Sequence, residues 1–312
     1  MQWYLPYDWK YSSKLLHFNN SCFFSGSCFA QNIAARMEAD RFSVFSNPYG
    51  ILYNPISIAE SFQFILDIKK YKEEYIFNYQ NLYFSQKHHS STFGNSPKEL
   101  LQKIDEQNQQ AAKALQASSF VFVTLGSAKV FTHKESGNLV ANCHKLPSVL
   151  FHTNYLSVEE IISAWEPILK QMPEKQFVFS LSPVRYVREG LQQSNYGKAI
   201  LRIAIETLCT RYSNVEYFPA YELVIDVLRE YRFYKEDLVH PNDTAIDYVY
   251  GFLSEKILTA EAKVFKKEAQ ALRRMMEHKV MQENSPEAAL FEQKKLQSLQ
   301  EFEGKWGAAN VK

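Results

Sequence analysis

The chain has 312 residues, 46% of them hydrophobic and 15% aromatic, and its 35 Lys and Arg stand against 34 Asp and Glu for a net charge of +1. That length can bury a large α/β core, and so even a charge argues against recruitment to nucleic acid or an anionic membrane by bulk electrostatics. No apolar run is long enough to span a bilayer, no basic and apolar leader opens the chain, and four scattered cysteines are too few for a disulfide framework, so a cytoplasmic location is predicted.

Residues 1–20 are aromatic and irregular and read as a strap over the domain. Residues 21–26 carry the first strand pattern, and a helical pattern over 30–37 follows at once. Residues 41–46 alternate as a second strand, which Asn47-Pro48-Tyr49-Gly50 ends as a turn. Asn54-Pro55 leads into a helix over 56–68. Residues 70–96 mix Tyr and Phe with Lys, Glu and Asn and fit no core element, so they read as a cap-like insertion. Pro97 opens a polar helix to about residue 117, and 119–125 is continuously apolar, as a strand inside a parallel sheet must be. Residues 130–132 and 139–141 flank a turn-rich segment and predict a hairpin.

Helices over 157–171, 197–212, 220–231 and 244–256 then alternate with strands over 176–181 and 214–218. Five strands alternating with helices specify a mainly parallel sheet covered on both faces. From about residue 260, Lys and Glu alternate with Ala, Leu and Met around a break at Asn284-Ser285-Pro286. This predicts two amphipathic helices outside the sheet, forming a C-terminal extension over 259–312 beside a domain over 1–258. Such helices are either a solvated tail or an arm for a homo-oligomer or protein partner.

The chemistry centres on Phe24-Ser25-Gly26-Ser27-Cys28-Phe29-Ala30, where strand gives way to helix. A side chain there sits at the carboxyl end of a strand, where open α/β sheets bind ligands, and the helix aims its free N–H groups at the same place. Ser27 is either an ordinary N-cap or a nucleophile, and a nucleophile needs a base. Asp237 and His240 are three residues apart, late in the chain, with spacing that lets a carboxylate orient an imidazole. Cys28 is a second thiol-type candidate, though its side chain is expected to point away from that of Ser27 and to pack. His88-His89 and Cys143-His144 lack metal-ligand spacing, so no metal is expected; His89 and His144 are placed in the substrate cleft instead. Arg185 follows the fourth strand and either binds a substrate carboxylate or phosphate or pairs with an acidic neighbour. No dinucleotide or P-loop glycine motif is present, and no cofactor is predicted.

Gly26-Ser27-Cys28-Phe29-Ala30 resembles the signature of the GSCFA family, which looks like a branch of the SGNH (GDSL-like) hydrolases. The resemblance extends through Asn47-Pro48-Tyr49-Gly50-Ile51-Leu52-Tyr53-Asn54-Pro55, Leu125-Gly126-Ser127-Ala128, Asn142-Cys143-His144-Lys145, Ser182-Pro183-Val184-Arg185, Tyr231-Arg232-Phe233-Tyr234 and Asp237-Leu238-Val239-His240-Pro241. It implies a three-layer α/β/α fold on a five-stranded parallel sheet, flavodoxin-like and of the SGNH type. It implies Ser27 as nucleophile, His240 as general base and then acid, and Asp237 as its orienter. It implies an oxyanion hole from the N–H of Ser27, the N–H of Gly50 and an asparagine. The chain departs from that pattern at Gly126-Ser127-Ala128, which holds no asparagine, leaving Ser127 or Asn54 to substitute. The function implied is hydrolysis of an acyl ester of a carbohydrate or other small molecule. The alternatives are acyl transfer on the same fold, or a binding or scaffold protein that has lost hydrolysis.

Overall fold

Alternation within single strands builds two cores at once. In β1 (Ser21–Gly26), Phe23 enters one apolar cluster while Cys22 and Phe24 enter the other. In β6 (Ser118–Leu125), Val121, Val123 and Leu125 take the first side, and Phe120 and Phe122 the second. Successive strand side chains point to opposite faces, so a sheet that is apolar throughout must be covered twice. In the computed structural model, which describes residues 7–278 and 286–307, helices supply both covers.

The central sheet is all parallel, in the order β11 (Val215–Phe218), β10 (Gln176–Leu181), β6, β1, β2 (Ser43–Ser46). On one face lie α2 (Pro55–Ile65), α4 (Val158–Gln171) and α5 (Leu191–Arg211), packed through Phe62, Trp165 and Ile205. On the other lie α1 (Cys28–Ala39) and α7 (Asp243–Ile257) through Ile33 and Val249. From β1 the chain adds β2 on one side, then β6, β10 and β11 on the other. The order therefore reverses between β1 and β6, and open α/β sheets bind ligands at the carboxyl ends flanking that reversal.

The segment read as an insertion forms a small antiparallel sheet, β3 (Ile76–Tyr79), β4 (Leu82–Ser85) and β5 (Phe93–Gly94), ahead of α3 (Pro97–Ala117). The expected hairpin is present as β7 (Lys129–His133) and β8 (Leu139–Val140). A third strand, β9 (Phe151–Tyr155), joins it unannounced. Only Phe151 of β9 is buried, so the segment carries no period-two signal to read. The helix expected over 220–231 opens as a single turn, α6 (Ala220–Glu222), widens to a π-helix over Leu223–Leu228 and stops where Arg229 takes φ +55°.

A buried charge ties these additions to the core. Lys87 Nζ donates to Glu60 Oε2 of α2 at 2.9 Å and to the Leu139 carbonyl at 2.8 Å, while Lys69 pairs with the same carboxylate. Breaking one arm of a buried pair leaves an under-compensated charge. Lys87→Met is expected to lower stability by about 3 kcal/mol in denaturant unfolding; a loss below about 0.5 kcal/mol would show that Lys69 alone satisfies Glu60.

The C-terminal helices are packed against the domain and are not a solvated tail. Ala262, Phe265, Ala269 and Leu272 of α8 (Ala260–Glu277) recur at helical spacing and are buried in the second cluster, and Phe302 and Trp306 of α9 (Pro286–Trp306) join them. Phe18 stacks on Phe265 at 5.3 Å and meets Trp306 edge-on at 4.9 Å, so the N-terminal strap and the C-terminal helices share one apolar seam. Buried Asp40 accepts from Tyr250 Oη at 2.9 Å and from Gln270 Nε2 at 2.8 Å, which fixes α8 against the end of α1. Residues 1–6 of the strap and the Asn284-Ser285 break lie outside the described residues. Among the described residues, no helix is long and apolar enough to cross a membrane, and the four cysteines are unbridged.

Candidate active site

Gly26 makes the junction possible. It ends β1 at φ +134°, and a Cβ on it would lie 2.2 Å from the Thr124 carbonyl oxygen of β6. Its N–H donates to Asn47 Oδ1 at 2.9 Å, its carbonyl accepts from Leu52 N at 3.0 Å, and the Ser27 N–H donates to the Thr124 carbonyl at 3.1 Å. The turn is thus clamped between β6 and the 47–52 loop. Asn47 is a residue that motif reading passes over as a plain turn former. Its Oδ1 holds Gly26, and its buried Nδ2 has no hydrogen-bond partner among the described residues.

Ser27 stands at the N-cap position of α1 with extended backbone, φ −68° and ψ 171°, yet its side chain makes no cap bond. It is 1% exposed, and Oγ has no hydrogen-bond partner among the described residues. Cys28, the first helical residue, is half-buried instead of packed away. It lines a cavity of about 360 Å³ together with Asn32, Ile51, Val184, Lys235 and His240, and Ser27 is not among the residues lining it.

His240 reaches that cavity from a loop fixed at many points. Asp237 Oδ1 accepts from the N–H groups of Val239 and His240, both at 2.9 Å, and Oδ2 pairs with His240 Nδ1 at 2.6 Å. These bonds, backbone donors first, hold the Asp237 carboxyl down to about 2. Leu238 sits at φ +57° to close the turn, and the Lys235 N–H donates to the His240 carbonyl at 2.8 Å. With Nδ1 taken by Asp237, Nε2 is the nitrogen left to move a proton. Arg185 braces the same loop: its N–H donates to the Val239 carbonyl at 3.2 Å, and its guanidinium lies 4.5 Å from the Tyr234 ring centroid and 5.0 Å from that of Tyr231.

The backbone N–H donors expected for an oxyanion at Gly50 and Ser127, and the Asn54 amide, are engaged elsewhere. The Gly50 N–H donates to the Asn47 carbonyl at 2.8 Å within its turn. The Ser127 N–H donates to the Tyr53 carbonyl at 3.0 Å, and its Oγ accepts from the Lys129 N–H at 3.0 Å. Asn54 caps α2, with Oδ1 accepting from the Ser57 N–H at 2.8 Å and Nδ2 donating to Ser57 Oγ at 2.9 Å. Because Ser27 makes no cap bond, the first-turn N–H groups of α1 receive no side-chain cap.

His144 is buried, its Nε2–H donating to the Ser85 carbonyl at 2.8 Å, with Phe77 and Phe84 against the ring. Burial pushes it down to about 4. His89 packs its Cβ against Gly50, where a Gly50 Cβ would lie 2.4 Å away, and its Nδ1 meets Ser91 Oγ at 3.0 Å. Neither lines the cavity that holds His240. A second cavity, of about 390 Å³, is lined by Tyr53, Asn54, Ser127, Cys143, Lys145 and Arg188. Among the described residues, no three His, Cys, Asp or Glu are grouped to hold a metal ion.

Lys198 gave no sequence signal. It is 5% exposed and donates to the Gly126 carbonyl at 2.7 Å and the Ser182 carbonyl at 2.6 Å, joining the ends of β6 and β10 beneath the site. Burial pushes the ammonium down to about 7. The folded value lies below the unfolded one of 10.5, so between about 7 and 10.5 the unfolded chain holds the extra proton and stability rises with pH. Lys198→Met is expected to remove that rise, at most about 1.4 kcal/mol per pH unit. It also leaves two carbonyls unpaired, at a cost of about 2 kcal/mol. Denaturant unfolding from pH 7 to 9 checks both; an unchanged pH slope would place the proton elsewhere.

Comparison with solved structures finds a protein from Streptococcus pneumonia, described provisionally as a platelet activating factor, at 11% identity and a TM-score of 0.39 over 77% of this chain and 84% of that one. A likeness this distant bears on neither activity nor substrate. No curated protein matches. Comparison with protein families matches residues 21–252 to the GSCFA family, through the span that carries the junction, the 47–55 loop and the Asp237–His240 pair. With most of its length in that match, this chain belongs to the GSCFA family.

Proposed function

We propose that the chain hydrolyses the acyl ester of a small molecule through an acyl-enzyme, in a cavity at the carboxyl end of β1. The observation that carries this reading is the 2.6 Å pair between His240 Nδ1 and Asp237 Oδ2, on a ring that lines the same cavity as the β1–α1 junction. An imidazole fixed in this tautomer takes a proton on Nε2, returns it to the leaving alcohol, and is steadied as imidazolium by a carboxylate that remains ionised. Two adjacent groups at the junction can supply the nucleophile: the Ser27 hydroxyl that the family resemblance names, and the Cys28 thiol. Water releases the acyl group; an acceptor alcohol in its place makes the same site an acyltransferase.

The test is release of p-nitrophenol from short p-nitrophenyl esters by the full chain. The expected result is turnover above the spontaneous rate that His240→Ala lowers toward it. Turnover equal in both proteins, or absent from both, overturns the reading. The engaged donors at Gly50, Ser127 and Asn54 favour a second reading, a protein that binds an ester without cleaving it. Calorimetric binding of an ester with no turnover identifies that case.

A further inference from the structure

We infer that the nucleophile of this site is the Cys28 thiol, with His240 as its base, so that the acyl-enzyme is a thioester; the inference rests on the acyl-ester reading above. Cys28 and His240 line one cavity of about 360 Å³, and Ser27 does not. Ser27 Oγ is buried and without a hydrogen-bond partner among the described residues. Consecutive side chains at an extended-to-helical junction diverge, so only one of the two can face the imidazole.

The surroundings of the sulfur suit a group that carries negative charge during reaction. The N–H groups of Cys28 and Phe29, at the positive end of α1, interact with it, as do the ammonium of Lys235 and, below about pH 7, that of Lys198. Burial nevertheless outweighs them and holds the thiol above its ordinary value. The resting group is therefore the thiol, and its proton must leave to a base as the sulfur attacks.

The steps balance with the groups present. Sγ forms a bond to the ester carbonyl carbon while its proton passes to His240 Nε2, and the carbonyl π pair moves onto oxygen. Collapse re-forms the carbonyl and breaks the bond to the alkoxy oxygen, which leaves with the proton from His240. Water then adds to the thioester carbonyl, giving a proton to His240, and the C–S bond breaks as that proton returns to sulfur. The products are the acid and the alcohol, and the thiol is restored. The first-turn N–H groups of α1, which receive no side-chain cap from Ser27, are the donors this mechanism assigns to the oxyanion.

The experiment treats the full chain with p-nitrophenyl acetate, quenches with acid, and analyses the peptide holding residues 27 and 28 by mass spectrometry. Turnover is measured in parallel for the native chain and Cys28→Ala, with thermal unfolding to show that the variant is folded. Cys28→Ser, a smaller change, is carried alongside in case alanine is not tolerated. The expected result is an acetyl adduct that neutral hydroxylamine removes, as it removes thioesters and not serine esters. It is absent from Cys28→Ala, whose turnover falls at least about 100-fold. A fluorophosphonate, selective for activated serine, leaves the native chain unlabelled.

An adduct stable to hydroxylamine, or one still formed by Cys28→Ala, overturns the inference and leaves the hydrolase standing. If deacylation is too fast to trap an adduct, turnover decides: a Cys28→Ala rate within about threefold of native overturns the inference, and a 100-fold loss upholds it. No turnover by the native chain removes the acyl-ester reading itself, and the inference with it.

Discussion

Gly26→Ala should destabilise the protein by at least about 4 kcal/mol, enough to lower its melting temperature by roughly 10 °C or to prevent soluble expression. Two costs add. Gly26 holds φ +134°, which L residues with a Cβ rarely adopt, and the new methyl would lie 2.2 Å from the Thr124 carbonyl oxygen. That oxygen belongs to the neighbouring strand and accepts from the Ser27 N–H, so it cannot withdraw without opening the sheet at the site. Gly251→Ala is the control: it lies inside α7 with open space around the position, and should gain about 1 kcal/mol from helix propensity. Equal melting temperatures for native protein and Gly26→Ala would mean that the junction can be built without its left-handed turn.

His240→Ala should lower ester turnover by about 1,000-fold while moving the melting temperature by no more than a few degrees. The side chain sits half-exposed in a loop, so its loss leaves no buried cavity. Asp237→Asn should act in the same direction with a smaller loss, because an amide can hold Nδ1 but does not balance an imidazolium. The sign of the pH effect follows from Asp237. Its folded value of about 2 lies below its ordinary 3.8, so the carboxylate's contribution is present above 3.8 and disappears only as pH falls through about 2. Any loss of activity between pH 5 and 7 therefore belongs to another group. Titration of the Asp237 carboxyl itself between pH 5 and 7, followed by carbon NMR of that side chain, would break the assignment.

How much of this was legible depended on the range of the signal. The central strands were readable because continuous apolar runs bounded by Gly and Pro admit few alternatives, and β6 is apolar because it is buried on both faces. Strand β9 was not, because four of its five residues are not buried and its partner is chosen across a loop. The Lys and Glu pattern of α8 left a solvated tail and a partner arm open, since a narrow apolar stripe beneath a charged face looks alike in a free helix and a packed one. What settled it was Phe18, Phe42 and Phe265 meeting across more than two hundred residues of chain. Asp237 and His240 were legible as a pair because the spacing is local.

The sequence by itself determined the parallel α/β architecture, the Gly26 junction, the family motifs and the Asp237–His240 pair, since each is carried by periodicity or by residues a few positions apart. Only the tertiary structure decided which of Ser27 and Cys28 shares a cavity with His240, that the Gly50 N–H, the Ser127 N–H and the Asn54 amide are held by a turn, the Tyr53 carbonyl and a helix cap, and that Lys198 joins the ends of β6 and β10. Those are questions of where a side chain points and what it already holds. Their answers come from contacts between segments far apart in the chain, and no local pattern of residues encodes them.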